Sequence, residues 1–280
     1  MNTYQAVLFI TIVALVTGRT MIFKSVAQRV PPNLTAWVIG SGTFVFTTAF
    51  FPLAQSAGVT QYGDLLSWQG AIAGLMKGVL LTVLLVAQQH LITRSLSATT
   101  YVFPVAIGLI GALDVLAFNG AVTPGAMLSM AILAAAGIAF ALFGHLQTLD
   151  AAGKAMFGTM VAAVVAFAVC DRIGIPAVGW YSYLVYTGLG NMISAWFVRK
   201  GMPRIRWLPW MTIALCWSIP ELVFNFAIAG TLPISYAYLA ISLRVPLLMV
   251  IATVVYREGR PTNQIVFGLI SLIGIVPSFI

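Results

Sequence analysis

Apolar runs recur along the whole of this chain, each close to the 20 or so residues that a helix needs to cross the hydrocarbon of a bilayer. A backbone in hydrocarbon must satisfy its own hydrogen bonds, which leaves helices as the economical way for such runs to fold. Polar, Pro or Gly punctuation divides the chain into spans 4–25, 33–53, 68–91, 97–118, 124–144, 154–172, 176–198, 207–230, 233–256 and 261–280. The expected fold is therefore all-α: a polytopic membrane protein with ten transmembrane helices. Charged residues make up 7% of the chain. Soluble domains carry roughly a quarter, so these charges are too few for a water-facing surface. Residues Gln5 to Lys24 have no basic segment before them and no small-residue cleavage site after them, and read as a spanning helix rather than a signal peptide. Cys170 and Cys216 lie inside apolar runs and read as packing residues, with no metal or cofactor implied.

Basic residues set the expected orientation. Lys24, Arg29, Arg94, Lys154, Arg199, Lys200, Arg204, Arg206, Arg257 and Arg260 follow odd-numbered spans, which is ten of the 14 Lys and Arg. Arg172 alone falls in an opposite turn, while Arg19, Lys77 and Arg244 lie at membrane depth. The positive-inside rule puts the basic turns in the cytoplasm and both termini outside, in the periplasm of a bacterial inner membrane. The basic residues form no continuous face, so the net charge of +8 is no signal for nucleic acid. The partners implied are the lipid bilayer and a small organic metabolite, with no obligate protein partner.

The last spans of two five-span halves are alike. TPGAMLSMAILAAAGIAFALF (123–143) matches RPTNQIVFGLISLIGIVPSFI (260–280), with Pro124 on Pro261 and Gly137 on Gly274 at an offset of 137 residues. Five spans is an odd number, so the expected halves, 1–146 and 147–280, run through the membrane with inverted orientation. Inverted repeats are a common frame for a site that opens to one side and then the other.

With these features the chain resembles the drug/metabolite transporter superfamily, in particular its ten-helix EamA-like branch. CDRIG (170–174) looks like that family's acidic-basic turn after the first helix of the second half. LPISYAYLAISLRVPLLMVIATVVYREGRPTNQIVFGLISLIGI (232–275) is similar to its ninth and tenth helices, with Pro246, Glu258 and Gly259 in the matching places. The first-half counterpart, 95–138, has Pro104 in the matching helix but Asn119 and Gly120 where an acidic residue is often found. The resemblance implies movement of small organic metabolites or drugs by alternating access.

The charges at membrane depth carry the functional reading. A charge at the centre of a span costs about 2.5–3.5 kcal/mol on insertion scales, so it is expected to face protein or a water-filled cavity. Arg244 sits almost midway along YLAISLRVPLLMVIATVVY (238–256), beyond easy reach of the headgroups. Its forked donors suit a carboxylate, either that of a substrate or that of Glu221 in span eight. Lys77 borders the seam of Gly70, Gly74 and Gly78 and reads either as a substrate contact or as the partner of an acid such as Asp114. Glu221 follows Pro220, which loosens a helical turn, and is placed to take a proton or an ammonium; Asn225 shares its face. Tyr183, Tyr186, Trp217 and Tyr238 are the candidate aromatic walls, and Asp114 is a further candidate contact. Arg19 is expected to snorkel to the cytoplasmic interface, and Asp171 to share the outer turn with Arg172.

The function expected from these readings is secondary transport, in the sense of an exporter, of an anionic or zwitterionic, amino-acid-like metabolite by alternating access. Coupling to protons or to an exchanged substrate is open, and no cofactor is expected. Efflux of a cationic drug or amine is the alternative, with Glu221 or Asp114 unpaired in the cavity. A channel and a membrane-embedded enzyme are readings of other classes. For the enzyme, His90 and His145 form no catalytic or metal motif, and no long hydrophilic loop is present to hold one.

Overall fold

A computed structural model describes residues 3–118, 120, 122–199, 207–230 and 234–279. Asn119, Lys200, Arg204, Arg206 and the connection 231–233 lie outside the described residues, as do the side chains of His145 and Trp207. The described chain is helical: α1 Thr3–Ala27, α2 Pro32–Ala49, α3 Phe51–Ser56, α4 Trp68–Arg94, α5 Leu96–Leu116, α6 Pro124–Phe143, α7 Ala151–Val198, α8 Trp207–Gly230, α9 Ile234–Ser242, α10 Arg244–Val254 and α11 Pro261–Ile275. Among the described residues eight helices are long and apolar enough to cross a membrane. Large apolar side chains stand exposed along them, among them Phe143, Phe197 and Leu269. That outward-facing apolar surface is what a lipid-embedded protein presents.

The difference between eight helices and the ten expected spans lies at two places. α2 is rich in Thr, Ser and Gly, and most of these polar residues are buried against protein. The second place is α7, where the expected break at 173–175 is absent. The CDRIG segment is helical, and the chain departs from helical geometry instead at Gly179, with φ 71° and ψ 155°. Contacts with α4 show what this does. Lys77 meets Asp171, Ala73 lies by Gly174 and Gly70 by Val178; beyond residue 179, Gly74 lies by Tyr183 and Tyr186, and Gly78 by Thr187 and Asn191. The order along α4 reverses, so α7 is two antiparallel arms hinged at one glycine. The combination of positive φ and extended ψ is essentially restricted to glycine. Gly179→Ala is expected to cost about 1–3 kcal/mol, read as a lowered unfolding midpoint in detergent, although no neighbouring atom crowds a β-carbon there.

Span nine is also divided. Pro246 has no N–H to offer the carbonyl of Ser242, and the helix is interrupted at Leu243, between α9 and α10. Pro220, by contrast, leaves α8 unbroken.

The contacts gather into two compact units. The first comprises 1–18, 87–165 and 232–280; the second comprises 19–86 and 166–231. Within the first, α5 is buried along most of its length and packs on α6, α9 and α10, while α11 packs on α6 and α10. Tyr101 of α5 stacks on Phe140 of α6 at 4.2 Å, and its hydroxyl donates to the Phe267 carbonyl of α11 at 2.6 Å.

A second device joins the α10–α11 turn to α5. Arg257 and Gly259 both have positive φ (53° and 66°), and the turn they make presents Glu258 to the N-terminus of α5. There Glu258 accepts from the amides of Leu96 at 2.9 Å and Ser97 at 3.1 Å. These are orphan donors at the positive end of a helix, so a carboxylate is well placed there. Glu258→Ala is expected to lower stability by about 1–2 kcal/mol, measured as a shift of the unfolding midpoint.

Within the second unit, α2 packs on α8, and the Thr43 and Ser218 hydroxyls bond across that contact at 2.9 Å. The glycines of α4 set the approach of α7, and Thr82 donates to Asn191 Oδ1 at 2.8 Å in the same seam.

Candidate functional site

The second unit holds a network of four charges, three of them buried and one, Glu221, partly exposed. Lys77 of α4 donates to Asp171 of α7 at 2.6 Å, with side chains 3% and 0% exposed. Arg19 of α1 donates from Nη1 to Glu221 Oε1 of α8 at 3.0 Å, with side chains 9% and 16% exposed. Glu221 Oε2 lies 3.9 Å from Lys77 Nζ, which links the two pairs. Two cations and two carboxylates balance. Such a set is tolerated at membrane depth because each charge is compensated locally; one alone would not be.

Aromatic rings floor the network. The Arg19 guanidinium lies 4.1 Å from the centroid of Trp217, which itself packs on Phe23 at 5.6 Å. Lys77 Nζ lies 5.2 Å from the centroid of Tyr183, inside the range of a cation–π attraction. On α8, Trp217, Glu221 and Asn225 are spaced one turn apart on one face. The Asn225 amide nitrogen donates to the Glu221 carbonyl at 2.8 Å, while its Oδ1 has no partner; the Trp217 Nε1 hydrogen has none either. Both residues are buried.

Several expectations are corrected here. Arg19 does not snorkel: it is buried and bonded to Glu221, a carboxylate that satisfies its charge within its own unit. The partner of Glu221 is thus Arg19, with Lys77 beside it, and not Arg244. The partner of Lys77 is Asp171 and not Asp114. Asp171 does not share a turn with Arg172: the reversal comes later, at Gly179, and leaves Asp171 fully buried inside the first arm of α7.

Lys77, Glu221, Asn225, Trp217 and Tyr183 therefore converge in the second unit. Tyr186 is in that unit too, with its hydroxyl donating to the Leu65 carbonyl. Arg244, Tyr238 and Asp114 belong to the first unit and are buried there. Arg244 opens α10 just after the interruption at Leu243, with its guanidinium 4.4 Å from the centroid of Phe103. Asp114 lies near the end of α5, where its carbonyl accepts from Gly120 at 2.8 Å. Tyr236 bonds to Thr123 at 2.6 Å, hydroxyl to hydroxyl.

Arg19 and Asp171 are the residues that sequence reasoning passed over. Charge balance was the available signal for Asp171. Two central cations, Lys77 and Arg244, and one central carboxylate, Glu221, leave an imbalance that a further acid had to relieve. The pair Pro176 and Gly179 was the signal for a later turn.

Among the described residues no group of three His, Cys, Asp or Glu side chains is gathered to hold a metal ion. No family model and no curated protein matches the chain. Solved structures do match it. One, described only as "Crystal structure of protein", superposes with a TM-score of 0.68 over 99% of this chain and 98% of its own, at 12% sequence identity. That likeness is one of fold, and with the eight long apolar helices it makes this chain a polytopic, mostly helical protein of membrane type.

Proposed function

We propose that the protein is a secondary transporter for a small organic metabolite, anionic or zwitterionic and amino-acid-like, working by alternating access. The observation that carries this reading is Glu221: a carboxylate at membrane depth, still 16% exposed, held by Arg19 and approached by Lys77 above an indole floor. A wholly structural ion pair has no need of an opening, and the neighbouring Lys77–Asp171 pair has none. In this reading Arg19 attracts the substrate's anionic group, Glu221 handles an ammonium or a proton, and Trp217 and Tyr183 cover its apolar body. Arg244 is a second proposed counter-charge, on the strength of its burial, and it keeps an anion open as the substrate. The ten-span division, the inverted halves 1–146 and 147–280, the EamA-like resemblance, the periplasmic termini and the inner-membrane location belong to the same proposal. So does the absence of enzymatic activity.

The test is saturable, trans-stimulated exchange in proteoliposomes, with ligands chosen by a thermal-shift screen of the purified protein against a metabolite library. A charge-assisted hydrogen bond is worth about 1.5–3 kcal/mol net, so Glu221→Gln is expected to lower exchange at least about tenfold at equal expression. Unchanged exchange in both Glu221→Gln and Arg244→Ala would remove those residues from the mechanism. Flux without trans-stimulation would point to a channel.

A further inference from the structure

We propose that the Arg19–Glu221 locus selects a substrate with no net charge that carries both a carboxylate and an ammonium, and that it reads the two poles with neighbouring turns of α8. This rests on the transport reading above and commits it to one charge class.

The first reason is charge balance. Arg19 and Lys77 are matched by Asp171 and Glu221, joined in series at 3.0, 3.9 and 2.6 Å. A ligand with a net charge would add an uncompensated charge to a balanced and largely enclosed set, and low-dielectric surroundings penalise that. A zwitterion adds none. It can insert its carboxylate against Arg19 and its ammonium against Glu221, so that each protein charge exchanges one partner for another.

The second reason is that only one of the two pairs is built to open. Lys77 and Asp171 are sealed at 2.6 Å with almost no exposure. Arg19 and Glu221 share a single hydrogen bond from Nη1 to Oε1, and the second carboxylate oxygen is beyond hydrogen-bond distance of Lys77. Glu221 thus has acceptor capacity left over, and access to use it. Arg19 has further forked donors suited to a carboxylate.

The third reason is the pattern of unmet hydrogen bonds. At the Trp217 turn of α8 the site offers donors: the guanidinium lying over the indole, and the indole N–H, which has no partner. At the Glu221 and Asn225 turns it offers acceptors: the carboxylate, and Asn225 Oδ1, which has no partner. The bond from the Asn225 amide nitrogen to the Glu221 carbonyl settles which of its two side-chain atoms is left over. Donors on one turn and acceptors on the next, about 5.4 Å along the axis, complement a carboxylate and an ammonium separated by a short link. A buried polar atom without a partner is costly, and a ligand with these two poles would supply a partner to each.

The experiment compares three charge forms of the same side chain. Alanine, leucine and phenylalanine are each tested as the free amino acid, as the cationic amide and as the anionic N-acetyl derivative, by thermal shift and by inhibition of exchange. The free amino acids are expected to bind at least about tenfold more tightly than either derivative. An N-acetyl form that binds equally well or better overturns the inference in favour of an anion; an amide that does so overturns it in favour of a cation. Both outcomes leave transport standing. Binding by none of the nine, in a preparation that exchanges some other labelled metabolite, also overturns the inference alone, whereas absence of any exchange overturns the transport reading with it. Asn225→Ala is expected to weaken the free and amide forms and spare the N-acetyl forms. Equal weakening of all three would assign Asn225 a packing role and remove the ammonium pole. Arg19→Gln, where it folds, is expected to shift preference toward the amides by about tenfold.

Discussion

Asp171→Ala is expected to destabilise the protein by about 3–5 kcal/mol, the largest loss from any single substitution in the charge network. Asp171 is fully buried and bonded to Lys77 at 2.6 Å, so its removal strands an ammonium at membrane depth. Glu221 at 3.9 Å is too far to take over that hydrogen bond without leaving Arg19. The measurement is a thermal or denaturant unfolding curve in detergent. The informative control is the double variant Lys77→Met with Asp171→Leu. Replacing both partners by apolar groups of similar volume removes the desolvation cost together with the attraction, and such replacements are often neutral. The double variant is therefore expected to recover most of the loss. A single variant within about 1 kcal/mol of wild type would mean that Lys77 finds water or another partner, as surface ion pairs do.

The other large effect is expected at Gly78. A β-carbon there would meet the Thr187 carbonyl and the backbones of Gly190 and Asn191, none of which can rotate away as a side chain can. Gly78→Leu is therefore expected to hold α4 off the second arm of α7, at a cost of about 3 kcal/mol or more. The Thr82–Asn191 bond at 2.8 Å should be lost with it. Gly158→Ala is the matched control, since nothing lies within 4 Å of a β-carbon at that position. It should leave the unfolding midpoint almost unchanged. If Gly78→Leu also leaves it unchanged, the seam is not close-packed.

Much of the architecture could be read from residue order. Expected spans and observed helices coincide closely for α1, α4, α5, α6, α8 and α11, because each is an apolar run bounded by Pro, Gly or charge. The errors came where two local signals competed. At 171–179 the charged pair Asp171 and Arg172 looked like a helix end, yet a charge inside a bundle is acceptable when its partner is also inside. The actual end was marked by Gly179, whose backbone angles no other residue adopts easily. At Leu243 the interruption followed from Pro246, three residues later, and the apolar run concealed it.

The candidate site was legible in kind and not in pairing. That Lys77, Glu221 and Arg244 must be buried among protein groups follows from the cost of charge in hydrocarbon, and all three are largely or wholly enclosed. That Glu221 belongs to Arg19, and Lys77 to Asp171, does not follow from that cost, because many pairings would pay it equally well.

Composition and the spacing of apolar runs by themselves determined the class of protein, the helices and the residues whose charges needed company. Hydrophobic transfer is additive along a chain, which is why sequence suffices for it. Tertiary structure decided where α7 turns back and which cation meets which carboxylate. Those choices depend on helix register and on separations of a few ångströms, over which ion-pair energies change steeply, and the partners stand as far apart in sequence as Arg19 and Glu221.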